Sequence, residues 1–309
     1  MGTGSSKAQA TVVAQFALLA LAWGSSFLFI KVGLRELSPT QVTLARMVFG
    51  ALALGVLVAI TRRPLPRDPR IWGHLAVVSV LLCVVPFTLF AWAEQDIPSG
   101  LASMYNAGTP LFAMAFAALV VAGERITRDR FTGLCLGFAG VVVIIGPWRG
   151  LGAQHDLLAQ AACVGATACY GLAFAYLRRF VTGRGIPATS VAFVQVLTGA
   201  LIMVLAAPWV ADQPVDRLSA PVVLSMVALG AFGTGMAYVW NTAVVTAWGA
   251  ANGAAVTYLT PVVGVLLGVV LLGEPLVWNQ PVGAALVVLG IVAAHGRLTP
   301  RSAAEPAAR

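Results

Sequence analysis

LSAPVVLSMVALGAFGTGMAYVWNTAVVTAWGAANGAAVTYLTPVVGVLLGVVLLG, residues 218–273, runs from Leu218 to Gly273 without one charged side chain. A helix needs roughly 20 apolar residues to cross the hydrocarbon of a bilayer. The stretch is too long for one crossing and suits two. The break is expected near Thr246–Gly253, where Trp248, Gly249, Asn252 and Gly253 gather. Lipid offers a backbone no hydrogen bonds, so each crossing must satisfy its own amides as an α-helix.

The same pattern recurs on both sides of this stretch. Lys7 to Lys31 encloses one apolar run, Thr40 to Ile60 forms a second interrupted only by Arg46, and Arg70 to Glu94 encloses a third. Asp96 to Glu124, Phe131 to Trp148, Asp156 to Arg178, Arg184 to Asp212 and Trp278 to His295 supply the rest, for ten in all. The whole chain agrees: 59% of its 309 residues are hydrophobic, only 10% are charged, and mean hydropathy is +0.90. A soluble domain carries about 25% charged residues. The fold expected is an all-α integral membrane protein. Ala20-Leu21-Ala22 imitates a signal cleavage site, but the apolar run continues to Ile30 and reads as a helix. The Met1-Gly2 and Ser6 match to a myristoylation pattern is discounted in a chain so firmly embedded.

The net charge of +8 reads as topology and not as nucleic-acid affinity, because the basic residues cluster at the ends of apolar runs. With the N-terminus in the cytoplasm, fourteen Lys and Arg fall inside, among them Arg62, Arg63, Arg67, Arg70, Arg178 and Arg179. Only Lys31, Arg35, Arg149 and Arg217 fall outside. Both termini are therefore expected in the cytoplasm. The four cysteines lie in apolar runs with no metal-ligand spacing and read as packing residues, so no metal or cofactor is expected.

The two halves resemble each other. Trp23-Gly24, Phe27 and Lys31 match Tyr170-Gly171, Phe174 and Arg178; Arg46 before Gly50-Ala51-Leu52 matches Gln195 before Gly199-Ala200-Leu201. Thr109-Pro110 leading to Gly123-Glu124 matches Thr260-Pro261 leading to Gly273-Glu274, and Gly133, Gly140 and Gly146 match Gly283, Gly290 and Gly296. Five crossings per half is an odd number, so the second half enters from the opposite side: two inverted five-helix repeats, a construction used by secondary transporters. The expected organisation is a cytoplasmic tail (1–10), a first repeat (11–147), a linker (148–156), a second repeat (157–296) and a cytoplasmic tail (297–309).

Ala22-Trp23-Gly24-Ser25-Ser26-Phe27, Arg46 after Ser38-Pro39, Thr109-Pro110 through Gly123-Glu124-Arg125-Ile126-Thr127, and Tyr258-Leu259-Thr260-Pro261 through Gly273-Glu274-Pro275 together resemble the EamA-type families of the drug/metabolite transporter superfamily. The resemblance covers residues 11–296 and departs at Pro275, which stands where the first half has Arg125. It implies a ten-helix inverted-repeat fold in a bacterial or archaeal inner membrane. It also implies export of small metabolites such as amino acids, their derivatives or toxic compounds.

The residues expected to line the solute pathway are Trp23, Ser26, Arg46, Asn106, Pro110, Tyr170, Gln195, Tyr238, Asn241, Tyr258 and Pro261. Pro110 and Pro261 each free a backbone carbonyl, which either marks the site or is a kink satisfied by neighbours. Arg46 is the one charge deep in a span; a structural hydrogen bond to carbonyls of a neighbouring helix is favoured over a substrate-carboxylate anchor. Tyr and Trp offer apolar walls with a polar tip. Glu124 and Glu274 read as structural acceptors for the amides of the next helix. Glu94 and Asp96 read first as a solvated loop at the outer mouth. His74, His155 and His295 sit at span ends and suit no proton relay.

The partners expected are a small-molecule substrate and the lipid bilayer, with protons a further candidate, no nucleic acid, and a monomer or homodimer. No acid lies at mid-span, so the chain reads as a facilitator or as an exchanger whose proton site is at a helix end, such as Glu94. A facilitator or exchanger of phosphorylated or nucleotide-linked metabolites needs more core cations than Arg46. A membrane enzyme is disfavoured, since HExxH, GxSxG and P-loop motifs are missing from the sequence. A scaffold or sensor would need larger soluble tails. Labelling with a membrane-impermeant thiol reagent checks the topology: cysteines placed at Arg63 and Arg179 are expected to react from one side, and cysteines at Arg35 and Arg217 from the other.

Overall fold

Helix starts are written plainly in the chain. Ser38 accepts a hydrogen bond from the Gln41 amide (3.3 Å) while Gln41 Oε1 accepts from the Ser38 amide (2.9 Å), a capping box with Pro39 behind it. Asp68 accepts from the Arg70 amide (2.9 Å) in the same way. The structure is a computed structural model that describes residues 3–120, 127–145, 154–210, 214–215, 217–248 and 256–294.

Every regular element among these residues is helical. In chain order they are α1 (Thr3–Gly33), α2 (Pro39–Thr61), α3 (Pro69–Ser79), a π-helical segment (Val80–Val84) and α4 (Val85–Ala93). Then come α5 (Ser99–Asn106), α6 (Thr109–Val120), α7 (Arg128–Ile145), α8 (Gln154–Phe180) and α9 (Ala188–Val210). The last are α10 (Ala220–Val227), a second π-helical segment (Ala228–Met236), α11 (Ala237–Trp248), α12 (Val256–Leu272) and α13 (Asn279–Ala294). Among the described residues, seven runs are long and apolar enough to cross a membrane: Gln9–Gly33, Pro39–Thr61, Pro69–Ala93, Ser99–Val120, Leu157–Phe180, Ala188–Trp209 and Ala220–Trp248. Three shorter apolar helices join them, Phe131–Ile144, Leu259–Leu272 and Asn279–Ala293.

The uncharged stretch divides where expected, since α11 ends at Trp248 and α12 is under way by Val256. Helix α1 already begins at Thr3. The sequence readings at Gly123-Glu124-Arg125-Ile126, Gly146, residues 148–153, Gly249–Gly253, His295, Gly296 and the 297–309 tail lie outside the described residues, as do the side chains of Lys7, His155 and Tyr258. Large apolar side chains such as Leu52, Val56, Ile60, Leu119, Leu205 and Val270 point outward, as lipid contact requires.

Packing recurs at corresponding positions of the two halves. Helix α1 packs on α12 and α8 packs on α6. At the first crossing a Cβ on Gly24 would strike Val263 and the Thr260 carbonyl; at the second, a Cβ on Gly171 would strike Phe112. Helices α7 and α13 meet backbone to backbone: a Cβ on Gly140 would run into the Gly283 carbonyl, one on Gly283 into the Gly140 carbonyl, and one on Gly290 into the Gly133 carbonyl. Small residues let helices approach this closely in lipid, where no hydrophobic effect drives them together. Gly140→Ala is expected to cost about 1–3 kcal/mol through overpacking. Thermal unfolding in detergent should show the loss, with Gly73→Ala, whose Cβ meets nothing within 4 Å, as the silent control.

Candidate functional site

Arg46 sits on α2 only 8% exposed and turns into the bundle rather than toward either surface. Burying an arginine at mid-span costs about 2.5–3.5 kcal/mol on insertion scales. Two contacts offset this. Nε donates to Thr234 Oγ1 at 3.1 Å, and Cζ lies 3.6 Å from the centre of the Phe87 ring. A desolvated cation–π contact contributes about 2 kcal/mol. The acceptor is therefore a hydroxyl in the second π-helical segment and not a helix carbonyl.

Gln195 does the corresponding work on α9. It is 2% exposed, and its Nε2 donates to Cys83 Sγ (3.3 Å) and to Tyr238 Oη (3.2 Å). Cys83 lies in the first π-helical segment as Thr234 lies in the second. The two donors that match in sequence thus reach matching partners, each in the opposite half. The wide turns have local causes. Pro86 follows the first and cannot donate back. In the second, Gly230, Gly233 and Gly235 give no side-chain support and the Thr234 hydroxyl reaches the Leu229 carbonyl five residues back (3.4 Å). π-helical turns are frequent at functional sites.

Aromatic side chains wall the cluster. Tyr170 of α8 stacks on Phe90 (6.0 Å) and meets Phe87 edge-on (6.5 Å), and Phe27 of α1 meets Phe90 edge-on (5.5 Å). Arg46 is within electrostatic reach of Tyr170, Tyr238 and Cys83. Of the expected pathway residues, the structure gathers Arg46, Tyr170, Gln195 and Tyr238.

The others stand apart from this group. Trp23 packs with Leu19 and Trp240 against α11. Ser26 donates to the Ala22 carbonyl (2.8 Å) and faces Gly233. Asn106 and Asn241 are half-buried. Asn106 ends α5, and a turn at Ala107-Gly108 separates it from α6. Pro110 leaves the Asn106 carbonyl without an amide donor, and the Thr109 hydroxyl takes it at 2.8 Å. Pro261 is buried inside α12, which stays continuous there. An apolar groove of about 400 Å³ between α2 and α9, lined by Val48, Leu52, Val56, Phe193 and Leu197, belongs to the outer surface and not to the polar cluster.

Thr234 and Cys83 escape sequence reasoning because their roles come from π-helical turns, and Phe87, on α4 just after the first of these turns, escapes it as an ordinary apolar residue. Pro86 and the Gly230–Gly235 glycines are the only hints. Two acid readings are corrected. Glu274 is structural, but its carboxylate accepts from Ser99 N (2.7 Å), Ser99 Oγ (2.9 Å) and Gly100 N (3.0 Å) at the start of α5, not from the next helix. Packing of α12 against α5 brings the two ends together. Asp96 is exposed as expected, but Glu94 is fully buried and no part of a solvated loop.

The pattern of the EamA-like transporter family matches residues 11–146 and again 157–294. The chain belongs to this family. It is a multi-pass membrane protein of that transporter family, and its similarity to individual members extends nearly end to end. A protein of Salmonella typhimurium named as a probable amino-acid metabolite efflux pump is 28% identical, covering 89% of this chain and 91% of the relative. An uncharacterised inner membrane transporter of Escherichia coli K12 is 25% identical over 90% of this chain and 88% of its own. A solved structure described only as a crystal structure of protein shares the fold, with a TM-score of 0.66 at 21% identity, covering 94% of this chain and 99% of that one.

Removing the Thr234 hydroxyl leaves the buried Arg46 short of its acceptor. Thr234→Val is expected to cost about 1–3 kcal/mol, as for an unsatisfied buried group. Cys83→Ala, which removes a weak sulfur acceptor, should cost about 1 kcal/mol or less. Thermal unfolding of the two variants in one detergent checks the order.

Proposed function

We propose that this EamA-like protein is a secondary transporter that exports small organic metabolites, amino acids and their derivatives among them, by alternating access. Ten crossing helices form two inverted five-helix repeats, and the solute binds where the repeats meet. The observation that carries the reading is the mirrored pair at the seam: Arg46 to Thr234 and Gln195 to Cys83, each bond joining one half of the chain to the other. The matched π-helical segments and the Gly24 and Gly171 crossings support the same symmetry. Two halves related by an in-plane pseudo-two-fold can rock about their interface and open it to each side in turn.

The chemistry of the seam fits the solute class. Thr234 takes one guanidinium N–H, and the Nη groups of Arg46 have no hydrogen-bond partner among the described residues. A guanidinium fork binds a carboxylate through two parallel hydrogen bonds. Tyr170, Phe87 and Phe90 offer apolar faces to a side chain beside it. Trp23, Ser26, Asn106, Asn241, Tyr258, Pro110 and Pro261 belong to the walls of the path in this reading. The protein lies in the cell inner membrane with both termini in the cytoplasm, in line with the excess of Arg at one set of helix ends and with the inner-membrane relative.

Proteoliposomes loaded with a mixture of radiolabelled amino acids test the reading. Efflux should exceed that of protein-free vesicles, and Arg46→Gln should lower it about tenfold or more, equivalent to about 1.4 kcal/mol. Efflux equal to the empty vesicles, for amino acids and for amphipathic organic dyes alike, would refute the export reading.

A further inference from the structure

Two glutamates lie at the same end of the bundle and are treated in opposite ways. Glu274 spends both carboxylate oxygens on three donors at the start of α5. Glu94, the residue that closes α4 just past the span Pro69–Ala93, is fully buried and neither of its carboxyl oxygens has a hydrogen-bond partner. A structural glutamate looks like Glu274. A buried carboxylate with no donor is strongly disfavoured, so the group in this position is held as the neutral acid.

Among the described residues, the surroundings give the carboxyl no hydrogen-bond donor. Lys31, in the last turn of α1, lies nearby, yet its ammonium donates to the backbone carbonyls of Glu94 and Ile97 (3.0 Å to the latter) and not to the carboxyl oxygens. The charged and titratable groups that face Glu94 are Lys31 from α1, Arg46 from α2, Cys163 from α8 and Glu274 from the segment after α12. Burial pushes the Glu94 carboxyl well above the usual carboxylate range; Lys31 and Arg46 pull it down, and Glu274 pushes it up. The net direction is upward.

Position gives this acid a task. The ends of α1, α4, α5 and α12 meet around it, tied by Lys31 across to the α4–α5 turn and by Glu274 across to α5. Parting these ends admits water to Glu94 and removes the burial that keeps it neutral. Bringing them together again buries the carboxyl, which first takes a proton from that side. We propose that Glu94 is a proton-binding site at this end of the bundle, occupied when the end is closed and emptied when it opens. The inference rests on the transport reading only for why the end opens. By linkage, acid on that side holds the end shut and rising pH lets it part, since the closed state binds one proton more.

Infrared difference spectroscopy between acidic and alkaline buffer, on protein in lipid, reads the acid directly. The wild type is expected to show a protonated-carboxyl band that persists at neutral pH and is missing from Glu94→Gln. Lys31→Met should shift its titration upward, because the opposing ammonium is gone. Amide hydrogen exchange of residues 94–103, corrected for intrinsic rates, should rise about tenfold or more with pH in the wild type and stay flat in Glu94→Gln, about 1.4 kcal/mol per tenfold. If Glu94→Gln fails to fold, Glu94→Asp carries the test, with the band moved but retained. No such band at neutral pH overturns the proposal, and so does a band whose titration leaves exchange unchanged. Neither readout needs a solute, so a failure of export and a failure of proton binding are told apart.

Discussion

Without water in the bilayer core, a backbone polar group that leaves the regular helical pattern must find a partner inside the protein. The interruptions in this bundle obey that constraint one by one. Where Pro110 cannot donate, the Thr109 hydroxyl supplies the Asn106 carbonyl. Where the second π-helical turn widens, the Thr234 hydroxyl closes onto Leu229 and its oxygen serves Arg46 as well. The short helix α5 starts with amides that have no helical partner, and the carboxylate of Glu274, on the far half of the chain, accepts from them. Each repair ties one segment to another, so the polar groups decide which helices stay together.

Much of this was legible in the chain. Charges occur almost only at span ends, so the spans declare themselves, and Ser38, Gln41 and Asp68 announce where helices begin. Arg46 and Gln195 were found as a matched pair because a polar residue in an apolar run is conspicuous. Their partners were not. Cys83 and Thr234 are ordinary helix residues by pattern, and only the widened turns aim them at the donors. Glu94 departs from its sequence pattern for a related reason. In the string Glu94-Gln95-Asp96 it looks like a solvated turn, and no local signal tells that α1, α5 and α12 close over the first residue and not the third.

The prolines teach the same lesson. Thr109-Pro110 and Thr260-Pro261 are equal as sequence, yet the first opens a break after Asn106 and the second is absorbed within α12. Gly108 sits at the first break and gives it room, whereas Leu259 holds the corresponding place before Thr260. Equivalent motifs mark equivalent positions without fixing equivalent shapes.

Electron–electron spin distance measurements in lipid nanodiscs, with one label pair at Glu36 and Arg217 and another at Arg70 and Arg184, test the account most directly. Glu36 accepts from the Ser219 amide (2.7 Å), so the first pair spans the two halves at the end that holds Glu94 and Glu274, and the second pair spans them at the other. Rocking about the seam predicts two distances at each end, with populations that shift in opposite senses as pH is raised. A single distance at both ends that no change of pH or amino-acid concentration moves would contradict it.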